Sequence, residues 1–186
     1  EVEDVSWAAS GALEVLGTAA APAVPRLARA LAEDAEGASR AAAAQTLGLL
    51  GKVAAPALTE LKNALYDDEA NVRIAAATAL GVLGQRVKPA VLDLVTAVLY
   101  DNWDVSTAAS DALRELGNVA APAVPKLVEA LGEEEEEVRE ASATTLGRLS
   151  KVAASAVPDL RQALEDKSVD VRVAVAGALG QFGDDA

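Results

Sequence analysis

Residues 56–84 read PALTELKNALYDDEANVRIAAATALGVLG, and the pattern of this stretch decides the fold. Pro56 stands where a helix can begin, because the first helical turn has no intrahelical acceptor for the N–H that proline lacks. Leu58, Leu61 and Leu65 then fall on one helical face. The acidic turn Asp67-Asp68-Glu69 follows, and Asn71 is placed to cap a second helix that carries Val72, Ala76, Ala79, Leu80 and Leu83 at three- and four-residue intervals. Gly84 closes it with a residue that tolerates a left-handed backbone. The unit is therefore two helices, A then B, joined by an acidic turn.

The same unit recurs along the chain. B-type patterns close at Leu16-Gly17, Leu50-Gly51, Leu83-Gly84 and Leu116-Gly117, with variants Leu149-Ser150 and Phe182-Gly183. The closing positions are spaced by 34 residues once and by 33 four times, the added residue falling in the loop before Arg40. Pro22, Pro56, Pro89 and Pro122 each follow a closing position by five residues, and Ser155 takes the fifth place. The pattern predicts six B helices and five A helices, the chain starting and ending on B. A longer repeat lies above this one, because residues 3–34 match residues 103–134 without gaps at 20 of 32 positions. A three-repeat block has been duplicated, its core kept and its surface changed.

Composition supports a helical protein with closely packed axes. Of the 186 residues, 52% are hydrophobic, chiefly Ala, Leu and Val, and the aromatics are two Trp, two Tyr and one Phe. Small side chains let helices approach toward the short end of the usual range of about 8–10 Å. A net charge of −13 disfavours nucleic acid and anionic bilayers as partners and favours basic or neutral ones. No apolar run is long enough to insert in a membrane, since Asp93 interrupts even the segment 90–100. The absence of Met, with Glu1 first, points to a processed form or a fragment of a longer chain.

The strings from Asn71 to Gly84 and from Asp170 to Ala174 resemble the second helix of short HEAT repeats, the subclass often called phycobilin-lyase-like. The resemblance covers nearly the whole chain. It implies an all-α fold, a right-handed α-α superhelix or solenoid of about six two-helix repeats. Residues 1–186 would form one solenoid, with units near 1–17 (partial), 18–51, 52–84, 85–117, 118–150 and 151–186. The large aromatics of tetratricopeptide repeats and the Thr-Pro-Leu-His of ankyrin repeats are missing. The family's helix-B arginine is matched by Arg40, Arg73, Arg139 and Arg172, and is replaced by Ser6 and Ser106 in the first and fourth repeats. In the family this arginine commonly pairs with a carboxylate in or beside its own repeat. These four are thereby implied to be structural, and each serine marks a break in the series close to a tryptophan.

The inventory of reactive groups is short. With no His and no Cys, the commonest general base, the thiolate nucleophile and most transition-metal ligation are missing. The iron centre of HEAT-like deoxyhypusine hydroxylases, built on His-Glu motifs, cannot form. No glycine-rich phosphate loop is present, and Ser106 and Ser110 read as packing or capping residues. No catalytic, cofactor-binding or metal-binding residue is assigned. Sixteen of the 29 carboxylates fall in the A-to-B turns, including Asp67, Asp68, Asp166 and the run Glu133 to Glu137, and read as a solvated edge.

What remains is a binding surface. The resemblance places B helices on the concave face, where the slots of Ile74, Thr78 and Val82 are not claimed by the core. In the first three repeats these slots hold Trp7, Gly11 and Val15, then Ala41, Gln45 and Leu49, then Ile74, Thr78 and Val82. In the fourth to sixth they hold Thr107, Asp111 and Glu115, then Glu140, Thr144 and Arg148, then Val173, Gly177 and Gln181, and the stripe turns polar and partly charged. Trp7, Val15, Gln45, Leu49, Ile74, Thr78, Val82 and Trp103 are the candidate contacts for a partner helix or peptide. Leu92 and Val95 form a second, convex candidate, and the uncapped ends of the solenoid are a third. The expected function is a non-enzymatic scaffold or adaptor within a larger protein assembly. Two other readings stay open: a bilin lyase or chaperone-like subunit of a photosynthetic antenna, implied by the resemblance, and a designed consensus-like repeat protein.

Overall fold

A computed structural model describes residues 17–183, and every regular element among them is helical. By its internal contacts the chain divides into two compact units, 1–87 and 88–186. The first holds α1 (Val24–Glu33), α2 (Gly37–Leu50), α3 (Leu58–Asn63) and α4 (Ala70–Val82), with the 3-10 turn Ala64–Tyr66 extending α3. The second holds α5 (Val91–Tyr100), α6 (Trp103–Leu116), α7 (Ala123–Ala130), α8 (Glu136–Leu149), α9 (Val157–Ala163) and α10 (Val169–Phe182). The B helices are α2, α4, α6, α8 and α10. The B helix expected ahead of Gly17 lies outside the described residues.

Two local expectations are corrected. Pro22, Pro56 and Pro89 do not open α-helices but sit inside the 3-10 segments Gly17–Ala23, Gly51–Ala57 and Gly84–Ala90 that lead into the A helices. Their fixed φ suits a 3-10 turn as well as a first α turn. Asn71 is not the cap of α4, whose N-cap is Glu69 with no side-chain bond. Asp67 instead accepts the Glu69 N–H at 2.9 Å, and Asp34 and Asp166 do the same for Glu36 and Ser168 at 3.0 and 2.8 Å. An aspartate that folds the acidic turn back on itself removes the need for a cap one residue into the helix. The closing positions behave as expected, with φ of 54° at Gly51 and Gly117, and Ser150 holds the same turn at φ 46°.

Leucines fill both cores, with Leu47, Leu61 and Leu80 fully buried in the first unit and Leu94, Leu113, Leu127, Leu146 and Leu160 in the second. What sets the spacing between successive B helices is a missing side chain. A Cβ on Gly147 would lie 2.6 Å from the Ala178 Cα, and one on Gly48 would lie 3.1 Å from the Ala79 Cα. Thus α8 meets α10, and α2 meets α4, backbone against backbone.

Arginine ties consecutive repeats within each unit. Arg40 on α2 reaches the Asp67 carboxylate with Nε at 2.8 Å and Nη2 at 2.7 Å, and Nη2 also meets Asp68 at 2.7 Å. Arg139 on α8 grips Asp166 in the same bidentate way, at 2.7 and 2.9 Å. Each partner lies 27 residues on, in the next acidic turn. The remaining Nη1 donates to two carbonyls of the preceding turn, Asp34 and Ala35 for Arg40, Glu133 and Glu134 for Arg139. Arg73 and Arg172 make the same carbonyl fork to Asp67 and Asp68 and to Asp166 and Lys167. The acidic turns are therefore partly structural rather than merely solvated.

Two predictions follow from the packing and the ladder. Gly147→Ala should cost roughly 1–3 kcal/mol by forcing α8 off α10, whereas Gly177→Ala, with nothing within 4 Å of its Cβ, should be neutral or gain up to about 1 kcal/mol of helix propensity. Urea unfolding of the two variants checks the contrast. The arginine hydrogen bonds hold the Asp166 and Asp67 carboxyls below their ordinary range. A carboxylate whose folded pKa lies below its unfolded one contributes stability above the unfolded value, and that stability is lost as pH falls through the folded value. Arg139 is 4% exposed and Asp166 10%, so Asp166→Ala should cost roughly 3 kcal/mol at neutral pH by leaving a buried charge unpaired. Its stability should then change less than wild type below a pH of about 4.

Candidate functional site

In the first unit α2 and α4 lie side by side, and their outward slots are accessible except for Ala41, which is buried. Gln45 and Thr78 are exposed, Leu49 and Val82 are 40% and 43% exposed, and Ile74 is half-buried. The Thr78 hydroxyl donates to the Ile74 carbonyl at 2.9 Å, so its methyl is what it offers a partner. Leu49, Ile74 and Val82 are the apolar members of the slots on these two helices that keep exposed surface. Trp7 and Val15, named from the sequence as their continuation, lie outside the described residues.

The convex pair is corrected. Leu92 is 56% exposed, but Val95 is 1% exposed and belongs to the core. The reason is visible in the repeat: Lys62 and Val128, which occupy the same slot on α3 and α7, are also half-buried. That slot lies on the flank of an A helix rather than on its outer face. A single exposed leucine is ordinary surface.

The second unit holds a feature that sequence reasoning missed. Between α6 and α8 lies a cleft of about 210 Å³, lined by Asp101, Trp103, Ser106, Thr107, Ser110, Glu137, Glu140, Thr144, Thr145 and Arg148 together with Val98, Leu99 and Ala141. These two helices pack far less closely than α2 with α4 or α8 with α10. The cause can be read from the repeat. Position 114 corresponds to Gly48 and Gly147 and holds Arg, and position 145 corresponds to Ala79 and Ala178 and holds Thr. Larger residues thus replace the Gly and Ala of the other pairs, Arg114 half exposed and paired with Asp111 on its own helix, and this pair is the more widely separated one. The sequence had marked Glu140, Thr144 and Arg148 as polar slots, but only a comparison of the glycine positions across repeats would have signalled a cavity.

Trp103, at the start of α6, is 74% exposed and stands at the mouth of this cleft. Ser106, in the slot of the ladder arginine, donates to the Val98 carbonyl at 2.7 Å instead of reaching the next turn. Asn102 caps α6 by accepting the Val105 N–H at 3.1 Å. Arg148 crosses the cleft to Asp111 at 3.0 Å. Glu140 is half-buried, and desolvation pushes its carboxyl up, with Asp170, Glu136 and Glu137 adding to the effect. Among the described residues no group of three or more carboxylates is arranged to hold a metal ion, and no helix is long and apolar enough to cross a membrane.

Several solved structures share the architecture. An engineered protein matches with a TM-score of 0.54 at 19% identity, over 100% of this chain and 93% of its own. The complex of CpcE and CpcF of phycocyanin lyase from Nostoc sp. PCC7120 gives 0.59 at 21% identity, over 85% of this chain and 98% of the other. Computationally designed armadillo repeat proteins for modular peptide recognition give 0.59 at 19%, over 96% and 90%. At these identities the likeness is one of fold. No curated protein sequence matches the chain significantly. The family model described as HEAT repeats matches three overlapping stretches, residues 24–114, 59–147 and 124–186. With two-helix units, a helix-B arginine and the model's matches running from Val24 to the last residue, the chain belongs to the HEAT-repeat family.

Proposed function

We propose that this protein is a non-enzymatic adaptor that holds a helix or extended peptide of a protein partner against its B helices. The observation that carries this reading is the paired exposure of Leu49 and Val82, at 40% and 43%, beside Ile74 on the common face of α2 and α4. Burying two branched aliphatic side chains and the rim of a third supplies the apolar anchor that peptide grooves use. The absence of His and Cys supports a role without chemistry. The peptide recognition named for the designed armadillo proteins, and the paired subunits of the lyase complex, are compatible roles for the fold.

Selection of a displayed library of amphipathic peptides against the intact chain tests the proposal. Enriched sequences should carry apolar anchors at helical or alternating spacing, and Leu49→Glu with Val82→Glu should weaken their binding at least about tenfold, near 1.4 kcal/mol. Enrichment of no such peptide, or binding indifferent to the double substitution, would overturn it.

A further inference from the structure

We propose that the cleft between α6 and α8 receives an arginine side chain from a protein partner, its guanidinium lying between the Trp103 indole and the Glu137 and Glu140 carboxylates. The inference deepens the adaptor reading and rests on it for the partner being a protein. Size, charge and hydrogen-bonding capacity each point to this occupant. A volume of about 210 Å³ suits one long side chain better than a free cofactor.

The charge around the cleft is unbalanced toward the negative. The charged groups that push the Glu140 carboxyl up are all anions, Asp170, Glu136 and Glu137. The cation further along the same helix, Arg148, is committed to Asp111 across the cleft at 3.0 Å. The cleft lining adds a pair of buried hydroxyls, Ser110 and Thr145. Thr145, 1% exposed, has one proton for two acceptors, the Ala141 carbonyl at 2.7 Å and Ser110 Oγ at 3.1 Å. Whichever of the two hydroxyls donates in their mutual bond, the Ser110 oxygen, 4% exposed and lining the cleft, keeps a lone pair able to accept a further hydrogen bond. An N–H-rich cation satisfies the carboxylates and this hydroxyl together.

Arginine fits better than lysine. Its planar fork serves separated acceptors at once and stacks on an indole face, and Trp103 is the only aromatic residue lining the cleft. The site also lies where the chain's own ladder is broken, since Ser106 occupies the slot that Arg40 fills in the second repeat and Arg139 in the fifth. A partner's guanidinium would supply from outside a group like the one those repeats supply from within.

The test uses the full chain with Trp7→Phe, which leaves Trp103 as the sole indole, titrated with acetylated tetra-arginine amide and with its citrulline and lysine counterparts. The arginine peptide should change Trp103 emission saturably, the citrulline peptide should not, and the lysine peptide should bind at least about fivefold more weakly. Glu140→Gln should weaken arginine binding about tenfold, and Ser106→Arg should abolish it by filling the cleft from within, circular dichroism confirming that both variants keep their helices. An equal response to citrulline, no saturable response to arginine, or arginine binding unchanged in Glu140→Gln would overturn the proposal. Any of these would leave the adaptor reading, tested at Leu49 and Val82, standing.

Discussion

Successive B helices in this protein are held at the distance that a missing side chain allows. Where Gly48 faces Ala79, and where Gly147 faces Ala178, the backbones touch and no room is left between the helices. The rest of the local architecture depends on that contact. It aligns the acidic turns so that an arginine on one B helix reaches the aspartate of the next turn, and it presents the outward slots of two helices as one face. A single methyl group at Gly147 is enough to disturb the contact, because close-packed interiors do not absorb added volume.

The fourth repeat departs from this rule in two ways at once. Arg114, with Thr145 of the following repeat, stands where the other pairs have Gly and Ala, and Ser106 removes the arginine that would tie the repeat to the following turn. One change opens a gap and the other leaves it unfilled. The acids around the gap, Glu137 and Glu140, lie on one helix, and Glu137 and Asp170 both push the Glu140 carboxyl up. A repeat that gives up both a packing contact and a charge pair acquires a concave polar site bordered by an exposed tryptophan, which is how repeat proteins gain a specific site without altering their fold.

Much of the fold was legible in the sequence because repetition amplifies weak signals. The leucine and alanine periodicity, the closing Leu-Gly and the loop acids each recur, so the two-helix unit did not depend on any one instance. The exposure of Leu49 and Val82 was also readable, since their slots fall outside the buried stripe. Local details were less so. Asn71 was a reasonable cap by residue type, but the turn aspartate made the cap unnecessary, and a competition between two hydrogen-bonding solutions leaves no mark on a propensity argument. Val95 was misplaced because a slot on the flank of an A helix is polar in one repeat and apolar in another. The cleft escaped notice because it arises from what two side chains displace, and neither Arg114 nor Thr145 is unusual on a helix when read alone.

The central claim is that these two side chains hold α6 and α8 apart. With no native cysteine, nitroxide labels at Asp104→Cys and Glu136→Cys report the separation of the two helix starts without interference. The account predicts that adding Arg114→Gly and Thr145→Ala shortens the measured distance by about 1–2 Å, toward the close end of helix packing. An unchanged distance in the double variant would contradict it and would assign the cleft to some other feature of the fourth repeat.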